Sequence, residues 1–282
     1  MKNKLLILLS IFLCSRILVF AQKDTTKISG WIPKAIAGLN ISQIALSNWT
    51  QGGDNSLTWT VTGNMGYNYK SDNWNLTNNL KLAYGRTKLG GQDFRTNDNE
   101  FYLESVLTKK IGWAVDPYFS NIITTAIGPG FDYSGDSAVE TSNFFDPGYV
   151  VQSVGFEYDK ISGFKTRLGL GLQEVFTNHY RKYSDDPTTS KVEAFKLEAG
   201  LQSVTSGNVQ LADNLLFISS LTLFTRFKHL DVWDVRWDNL IVAKVNSWLN
   251  VNLGFLLVYQ QDQSLTTQMK QTLQLGVVYT LF

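Results

Sequence analysis

Residues 57 to 69 read LTWTVTGNMGYNY, and the alternation in this stretch decides the fold. Its odd-numbered positions are apolar or aromatic apart from Gly63, whereas its even-numbered positions are Thr, Asn or Gly. Successive side chains of a strand point to opposite faces, so one face of this strand is apolar and the other is small and polar. The same alternation recurs at residues 74–84, 249–259 and 272–281.

The length of these runs separates a membrane barrel from a soluble β fold. Each run holds about 9 to 13 residues, enough for a tilted strand to cross a bilayer, whereas strands of soluble proteins cluster near 5 or 6. Trp74 and Tyr84 stand at the two ends of one apolar face, where interfacial aromatic girdles lie in membrane barrels. The opposite faces carry few charges, which fits an enclosed wet lumen. The pattern therefore predicts an all-β, transmembrane, antiparallel up-and-down β-barrel.

The composition excludes other classes of protein. The chain has 282 residues, of which 44% are hydrophobic and 17% charged, and its mean hydropathy is -0.09. It is too apolar for a disordered protein and too polar for a helical membrane bundle. Lys2, Lys4, an apolar run over residues 5–20 and a small residue at Ala21 predict a secretory signal peptide over residues 1–21.

Removal of that signal peptide changes the chemistry that the mature chain offers. Cys14, the only cysteine, would leave with it, so we expect no disulfide and no cysteine metal site. The mature chain would hold 22 basic residues, without Lys2, Lys4 and Arg16, against 24 acidic ones, a net charge of -2. This balance gives no support for nucleic-acid binding, and no cofactor is predicted.

The whole chain predicts twelve strands, with ten or fourteen left open. They cover residues 34–46, 57–69, 74–86, 100–109, 113–127, 149–158, 164–176, 192–203, 215–226, 232–245, 248–259 and 271–281. Links after even strands are mostly short, like periplasmic turns, and links after odd strands, such as 87–99, 128–148 and 177–191, are mostly long, like outer loops. Two links depart from this rule, because 204–214 is long for a turn and 227–231 is short for an outer loop.

An even strand number predicts that both termini lie in the periplasm of a Gram-negative bacterium. We therefore expect a periplasmic leader over residues 22–33 and one barrel domain over residues 34–282 in the outer membrane. The partners of such a barrel would be outer-membrane lipid, lipopolysaccharide and the barrel-assembly machinery. The sequence leaves the oligomeric state open.

Residues 47 to 56 read SNWTQGGDNS, between the first two predicted strands. This segment resembles the most distinctive motif of an outer-membrane barrel family known only as a domain of unknown function. The segments Trp237–Leu249 and Gly254–Tyr259, with the closing Tyr279 and Phe282, extend the resemblance over nearly all of the mature chain. The resemblance implies a barrel fold and a location in the outer membrane, and it implies no activity.

The motif itself has a structural and a functional interpretation. Its glycines permit a tight connection and its asparagines can hydrogen-bond local backbone, while loop residues often carry binding. The residues concerned are Asn48, Trp49, Gly52, Gly53 and Asn55.

Charged residues that fall on the polar faces of the predicted strands are candidate lumen groups. We expect Glu157 to stand opposite Lys165 across the turn at 159–163. The set either stiffens a nearly filled lumen by pairing or lines a narrow polar path that selects a solute. It comprises Glu157, Lys165, Arg167, Lys196, Glu198, Arg226, Asp234, Arg236 and Asp238.

Two further functions remain as alternatives. His179, with Ser184 as the nearest serine, would serve an enzyme that acts on outer-leaflet lipids, and the long outer loops would serve a surface-binding barrel. The acidic residues predicted in outer loops show no calcium-loop spacing and are read as solvated charges. They are Asp93, Asp98, Asp132, Asp136, Asp185 and Asp186. No catalytic or metal-binding residue is predicted with the main interpretation.

Three polar residues fall on the predicted lipid face and conflict with the pattern. They are Asn78, Glu174 and Asn239. We expect each to sit at a local bulge or near the rim of the barrel.

Overall fold

The computed structural model describes residues 29–47, 54–135, 137–186, 188–261 and 263–280. The predicted signal peptide, most of the predicted leader and four motif residues lie outside these ranges, and so does Phe282. The four motif residues are Asn48, Trp49, Gly52 and Gly53. Within the described ranges, no helix has both the length and the apolar character that a membrane crossing requires.

Twelve strands close into one antiparallel barrel, as the alternation predicts. Their bounds are β1 Gly30–Ile44, β2 Ser56–Lys70, β3 Trp74–Leu89, β4 Arg95–Lys109, β5 Asp116–Thr125, β8 Gly148–Ile161, β9 Phe164–Phe176, β10 Phe195–Ala212, β11 Leu215–Arg226, β12 His229–Lys244, β13 Leu249–Gln260 and β14 Ser264–Thr280. Neighbours in sequence pair around the wall, and β1 closes it by pairing with β14.

A second, two-stranded sheet lies in the connection between β5 and β8. It consists of β6 Gly130–Asp132 and β7 Val139–Ser142. The connection from β9 to β10 carries a single 3-10 turn at Arg181–Tyr183. The two longest connections of the described chain are therefore structured.

Several strands are longer than the sequence pattern indicates. β1 begins at Gly30, so Gly30 to Pro33 belong to the barrel rather than to the predicted leader. β3 and β4 extend toward each other, which leaves residues 90–94 in place of the predicted long loop at 87–99. β10 continues to Ala212, so the supposedly long turn at 204–214 is a short turn at 213–214. Cross-strand hydrogen bonding continues here after the apolar alternation fades.

The wall has an apolar outside and a polar inside. Phe119 and Val154 are directly opposite each other and exposed on the outside, whereas the neighbouring Ser120 and Ser153 are buried on the inside and share a hydrogen bond of 2.8 Å. The core of the molecule is thus the lumen, and its inner residues are mostly polar. Because side chains alternate, this assignment fixes the face of every residue in these strands.

Aromatic side chains gather at both ends of the outer surface. At the end that carries the turn between β2 and β3, the Trp31 ring stacks on Tyr67 with centroids 4.4 Å apart. At the opposite end, Phe145, Phe176 and Phe195 form a chain of contacts with centroids 5.7 and 5.1 Å apart. The apolar band between the two groups is the surface that the alternation predicts.

Candidate functional site in the barrel lumen

The inner face of β4 carries three carboxylates, and each holds a base from another part of the wall. Asp98, Glu100 and Glu104 lie at even positions of β4 and therefore share its inner face. Their partners are Lys270 for Asp98, at 2.7 Å, Arg236 for Glu100, at 2.6 Å, and Arg167 for Glu104. β4 is thus the acidic side of the lumen.

These three ion pairs cross the lumen. Five strands separate β4 from β12, which carries Arg236, by either route around the barrel, so the two strands face each other. Three strands separate β4 from β14, which carries Lys270, and two separate it from β9, which carries Arg167. The pairs therefore connect distant parts of the wall through the interior.

A second cluster stays on one side of the barrel. Arg226, only 4% exposed, donates two hydrogen bonds to Asp234, at 3.1 and 2.9 Å, and one to Glu198. Lys196 also pairs with Glu198, at 3.6 Å. Because β10, β11 and β12 are neighbours, this cluster joins adjacent strands and leaves the path between opposite walls to the pairs on β4.

Tyr102 lies between Glu100 and Glu104 on the inner face of β4 and meets two cations. The Arg236 guanidinium is 5.7 Å from the Tyr102 ring centroid, and the Lys81 ammonium is 5.3 Å from it. A ring face attracts cations through its quadrupole. Arg236 also hydrogen-bonds to Asp238 at 2.8 Å, so it has two carboxylates and one ring as partners.

The pairing of Glu157 differs from the prediction. Glu157 is directly opposite Arg167 rather than Lys165, because the register shifts between Tyr158 and Ile161. Lys165 still reaches the Glu157 carboxylate at 3.5 Å, and Thr108 donates a hydrogen bond to it at 3.2 Å. The expected pair of charges forms, but diagonally.

The structure places all nine charges singled out from the sequence in these ion pairs, and it adds others that sequence reasoning missed. Asp98 was expected in an outer loop as a solvated charge, but it is 10% exposed on β4 and paired with Lys270. Glu100 and Glu104 were missed because β4 is weakly patterned on its outer face. The sequence does carry a signal for them, because three acids stand at the even positions 98, 100 and 104 and would share one face of a strand.

A cavity of about 750 Å³ lies against the cross-lumen pairs. Its lining includes Glu100, Tyr102, Asp234 and Arg236, together with loop residue Tyr183 and the amides of Gln173 and Gln202. A pocket of this size falls in the range that holds small molecules. The lumen beside the bridges is therefore not closely packed.

At the other end of the lumen, charges cluster around a turn. Lys110 lies 3.1 Å from Asp116 and 2.6 Å from Asp159, and Lys160 lies 3.0 Å from Asp116. Asp116 also accepts a hydrogen bond from the backbone N–H of Ile111. This cluster ties the turn at 110–115 to the end of β8.

In the loops, Asp146 holds the β9–β10 connection against the β5–β8 connection. Its carboxylate accepts hydrogen bonds from the backbone N–H groups of Asn178, His179 and Tyr180, at 2.9, 2.8 and 3.4 Å. Burial alone would raise the pKa of Asp146, but these N–H groups outweigh it and keep the pKa below its ordinary value of 3.8. Asp146 is thus an ionised clamp between the two loops.

The histidine and serine of the enzyme alternative do not come together. Ser184 is 1% exposed and donates a hydrogen bond to the carbonyl of Glu193 at 2.7 Å, whereas His179 is turned to solvent beside Asp146. A nucleophile needs its base within hydrogen-bond reach. Among the described residues, no group of three or more His, Cys, Asp and Glu side chains is placed to hold a metal ion.

Asn55 is the one candidate motif residue that the structure describes. Its side-chain oxygen accepts a hydrogen bond of 2.6 Å from the backbone N–H of Leu46, and its carbonyl accepts one of 2.7 Å from Gly90. These contacts fasten the β1–β2 connection to the neighbouring β3–β4 connection. They support a structural role for this residue.

One family model matches part of this chain. Residues 41–131 match the family described as "Protein of unknown function (DUF3078)", which confirms the resemblance to a domain-of-unknown-function family over that segment. Comparison with curated proteins gives no match.

Several solved structures are similar to this chain. The translocator domain of autotransporter NalP from Neisseria meningitidis is 12% identical, with a TM-score of 0.40, 99% of this chain and 94% of that chain covered. An outer membrane channel from Pseudomonas putida F1 is 10% identical, with a TM-score of 0.40, and the match covers 93% of this chain and 98% of that chain. The CymD monoaromatic hydrocarbon channel is 9% identical, with a TM-score of 0.34, and the match covers 89% of this chain and 88% of that chain.

Proposed function

We propose that this chain is an outer-membrane β-barrel of a Gram-negative bacterium that acts as a narrow, gated conduit for small polar solutes, with both termini in the periplasm. The exposed apolar band and the aromatic groups at its two ends support the membrane location. The polar inner wall supports a wet interior. No catalytic step is part of this proposal.

The cross-lumen ion pairs on β4 carry the proposal. Ion pairs across a lumen either stiffen a filled wall or form a gate, and a gate needs pairs that can break. Here Asp98, Glu100 and Glu104 receive cations from three other strands, and we assign these cross-lumen contacts as the closed state of the passage. Contacts of this kind block a lumen while they are made and open it when they break.

The pair between Arg236 and Glu100 has the features of a reversible contact. Their side chains are 23% and 24% exposed, so water reaches both groups. When Glu100 leaves, Arg236 keeps Asp238 at 2.8 Å and the ring of Tyr102. Opening therefore does not leave an unpaired cation in the lumen, which would be costly.

The cluster at Arg226 supplies a fixed frame for this movement. Arg226 is buried and held by Asp234 and Glu198 at once, and both acids are more than four-fifths buried. A cation so held has to break its contacts with both acids before it can move. We therefore assign the moving part to Arg236 and Lys270, which reach across to β4, and the fixed part to Arg226.

Electrical recording on the purified barrel in planar lipid bilayers tests the conduit. We expect rare, small openings from the unchanged protein and longer openings from Glu100→Gln, because the substitution removes the charge that holds Arg236. Glu140→Gln, the same chemical change in the outer sheet of β7, is the matched control and should behave like the unchanged protein.

The same recordings separate a conduit from a filled structural wall. If neither the unchanged protein nor Glu100→Gln conducts, and vesicles carrying either protein do not swell in small sugars, the barrel is not a conduit. If Glu140→Gln lengthens the openings as much as Glu100→Gln does, the gate is not at β4.

A further inference from the structure

A row of polar side chains crosses the outer surface of four neighbouring strands. Asn78 on β3 is opposite Ser105 on β4, Ser105 is opposite Asn121 on β5, and Asn121 is opposite Gln152 on β8. All four share the outward parity of Trp74, Leu107, Phe119 and Val154, which are exposed. We call Asn78, Ser105, Asn121 and Gln152 the polar row.

Apolar rows flank the polar row on both sides. Each flanking row is displaced by two residues along every strand from the polar row. One row consists of Leu80, Leu103, Ile123 and Val150, and the other consists of Leu76, Leu107, Phe119 and Val154. On β3 the row lies between Trp74 and Tyr84, the aromatic residues that mark the two ends of the apolar band. Toward its two ends the row approaches the aromatic groups, because Asn78 bonds the carbonyl of Tyr67 and Gln152 pairs with Leu172, two residues from Glu174. Its centre, at Ser105 and Asn121, is in the middle of the surface that faces hydrocarbon.

Most of the polar row has no internal partner. Asn78 donates its amide N–H to the carbonyl of Tyr67 at 2.7 Å. The side chains of Ser105, Asn121 and Gln152 make no hydrogen bond to any residue that the structure describes, and the Asn121 oxygen is buried without a partner there. Hydrocarbon tails offer neither donors nor acceptors, so groups like these are unfavourable against lipid.

Another polar pair on the outer face shows how such groups are satisfied locally. Ser219 donates to the side-chain oxygen of Asn239 at 2.8 Å, and the Trp237 ring N–H donates to Ser219 at 3.1 Å. That cluster needs nothing from outside the barrel. The polar row differs because Ser105, Asn121 and Gln152, which lie half-buried on the outer face, have no such closure among the described residues.

We propose that the polar row is the contact surface for a second copy of this chain within the membrane. The inference goes beyond the conduit and rests only on the membrane location in the proposed function. Amides of Asn and Gln both donate and accept, so a surface built from them pairs with a copy of itself. None of the four residues is charged, so two copies do not repel each other.

The geometry of insertion favours the same partner. Copies of one barrel enter the membrane in one direction, so a two-fold axis along the membrane normal brings the same height of both copies together. The centre of the row, at Ser105 and Asn121, then faces the centre of the row on the other copy. The terminal torsion of Asn is soft, so its amide can turn toward a partner. Polar side chains drive such contacts in membranes, where apolar surface does not.

Cross-linking in membranes tests the contact. In the full chain with Cys14→Ser, Asn121→Cys is placed at the centre of the row and Leu253→Cys at an outward position, 49% exposed, on the opposite side of the barrel. A bifunctional maleimide should convert Asn121→Cys to a species of twice the monomer mass and leave Leu253→Cys as monomer. Equal cross-linking of the two variants, or a product of another mass, overturns the proposal.

A second variant replaces three members of the polar row with apolar residues and adds no charge. Ser105→Leu, Asn121→Leu and Gln152→Leu together should shift the detergent-solubilised protein from dimer to monomer in sedimentation, with an unchanged β-sheet circular dichroism spectrum. A monomeric unchanged protein overturns the dimer. That result leaves the conduit standing if single barrels still conduct, whereas solubility of the processed chain without detergent would remove both proposals.

Discussion

Arg236 on β12 and Glu100 on β4 form an ion pair of 2.6 Å, although their strands lie on opposite sides of the barrel. The two residues are 136 positions apart in sequence. Their contact passes through the lumen, so it couples two strands that share no backbone hydrogen bond.

The two partners of this pair should differ in their effect on stability. Glu100→Gln should cost about 1 kcal/mol, because Arg236 keeps Asp238, whereas Arg236→Met should cost about 3 kcal/mol, because it leaves two carboxylates without their cation. Urea unfolding in lipid vesicles measures both. Equal losses of stability in the two variants would show that the contact between Arg236 and Asp238 contributes nothing to stability.

An arginine on the outer face should be worse than one on the inner face of the same strand. Leu80→Arg places the charge against mid-bilayer lipid, which costs about 2 to 4 kcal/mol, whereas Thr77→Arg faces the lumen. We expect Leu80→Arg to lower the folded fraction recovered from outer membranes and Thr77→Arg to lower it less. The reverse order would mean that the two faces of β3 are exchanged.

Gly200 should not tolerate a side chain. A Cβ there would collide with the carbonyl oxygen of Thr225 and would lie 3.0 Å from the Phe224 ring. Gly200→Ala should therefore destabilise the barrel by about 1 to 3 kcal/mol through overpacking. Gly91→Ala, in the β3–β4 connection with open space around it, is the control and should unfold in urea like the unchanged protein.

The clamp at Asp146 predicts a pH dependence of loop docking. Its pKa is below 3.8 in the folded protein, so its stabilising effect is fully present above about pH 3.8 and is lost as the pH falls through the lower folded value. Nitroxides at Val139→Cys and Val192→Cys, both exposed, report the distance between the two loops.

We expect one narrow distance distribution from pH 7 to pH 5 and a broad one in strong acid. With Asp146→Asn the distribution should be broad at every pH, because the charge that holds the three N–H groups is gone. A distribution that stays narrow in acid with Asp146 intact would show that the carboxylate is not the clamp.

The polar exceptions on the outer face show where pattern reasoning is incomplete. Asn239 and Glu174 conflict with the alternation, and the structure gives each a reason. The expected bulge or rim position is wrong for Asn239, which lies in a regular part of the β11–β12 ladder and accepts a hydrogen bond from Ser219. Glu174 lies two residues from the end of β9, near the aromatic ring of Phe176 at the rim. Asn78 instead belongs to a row that only strand pairing reveals, because its other members come from three separate strands.

The sequence by itself determined the barrel and which face of most strands is polar, because each strand carries its own alternation and side chains change face at every residue. It favoured twelve strands and left ten or fourteen open. It also indicated nine of the lumen charges by parity alone. Several strand ends were set too short, since backbone pairing continues where the apolar signal stops, whereas the predicted strand at 113–127 was set too long, because β5 covers only Asp116–Thr125.

Only the tertiary structure decided which charges meet. Partners across the lumen come from strands that are distant in sequence, and their contact depends on closure, tilt and register shifts such as that at Tyr158 and Ile161. Local periodicity contains no information on these long-range distances. The acids of β4 meet cations of three other strands because the closed wall brings three bases within 4 Å of them.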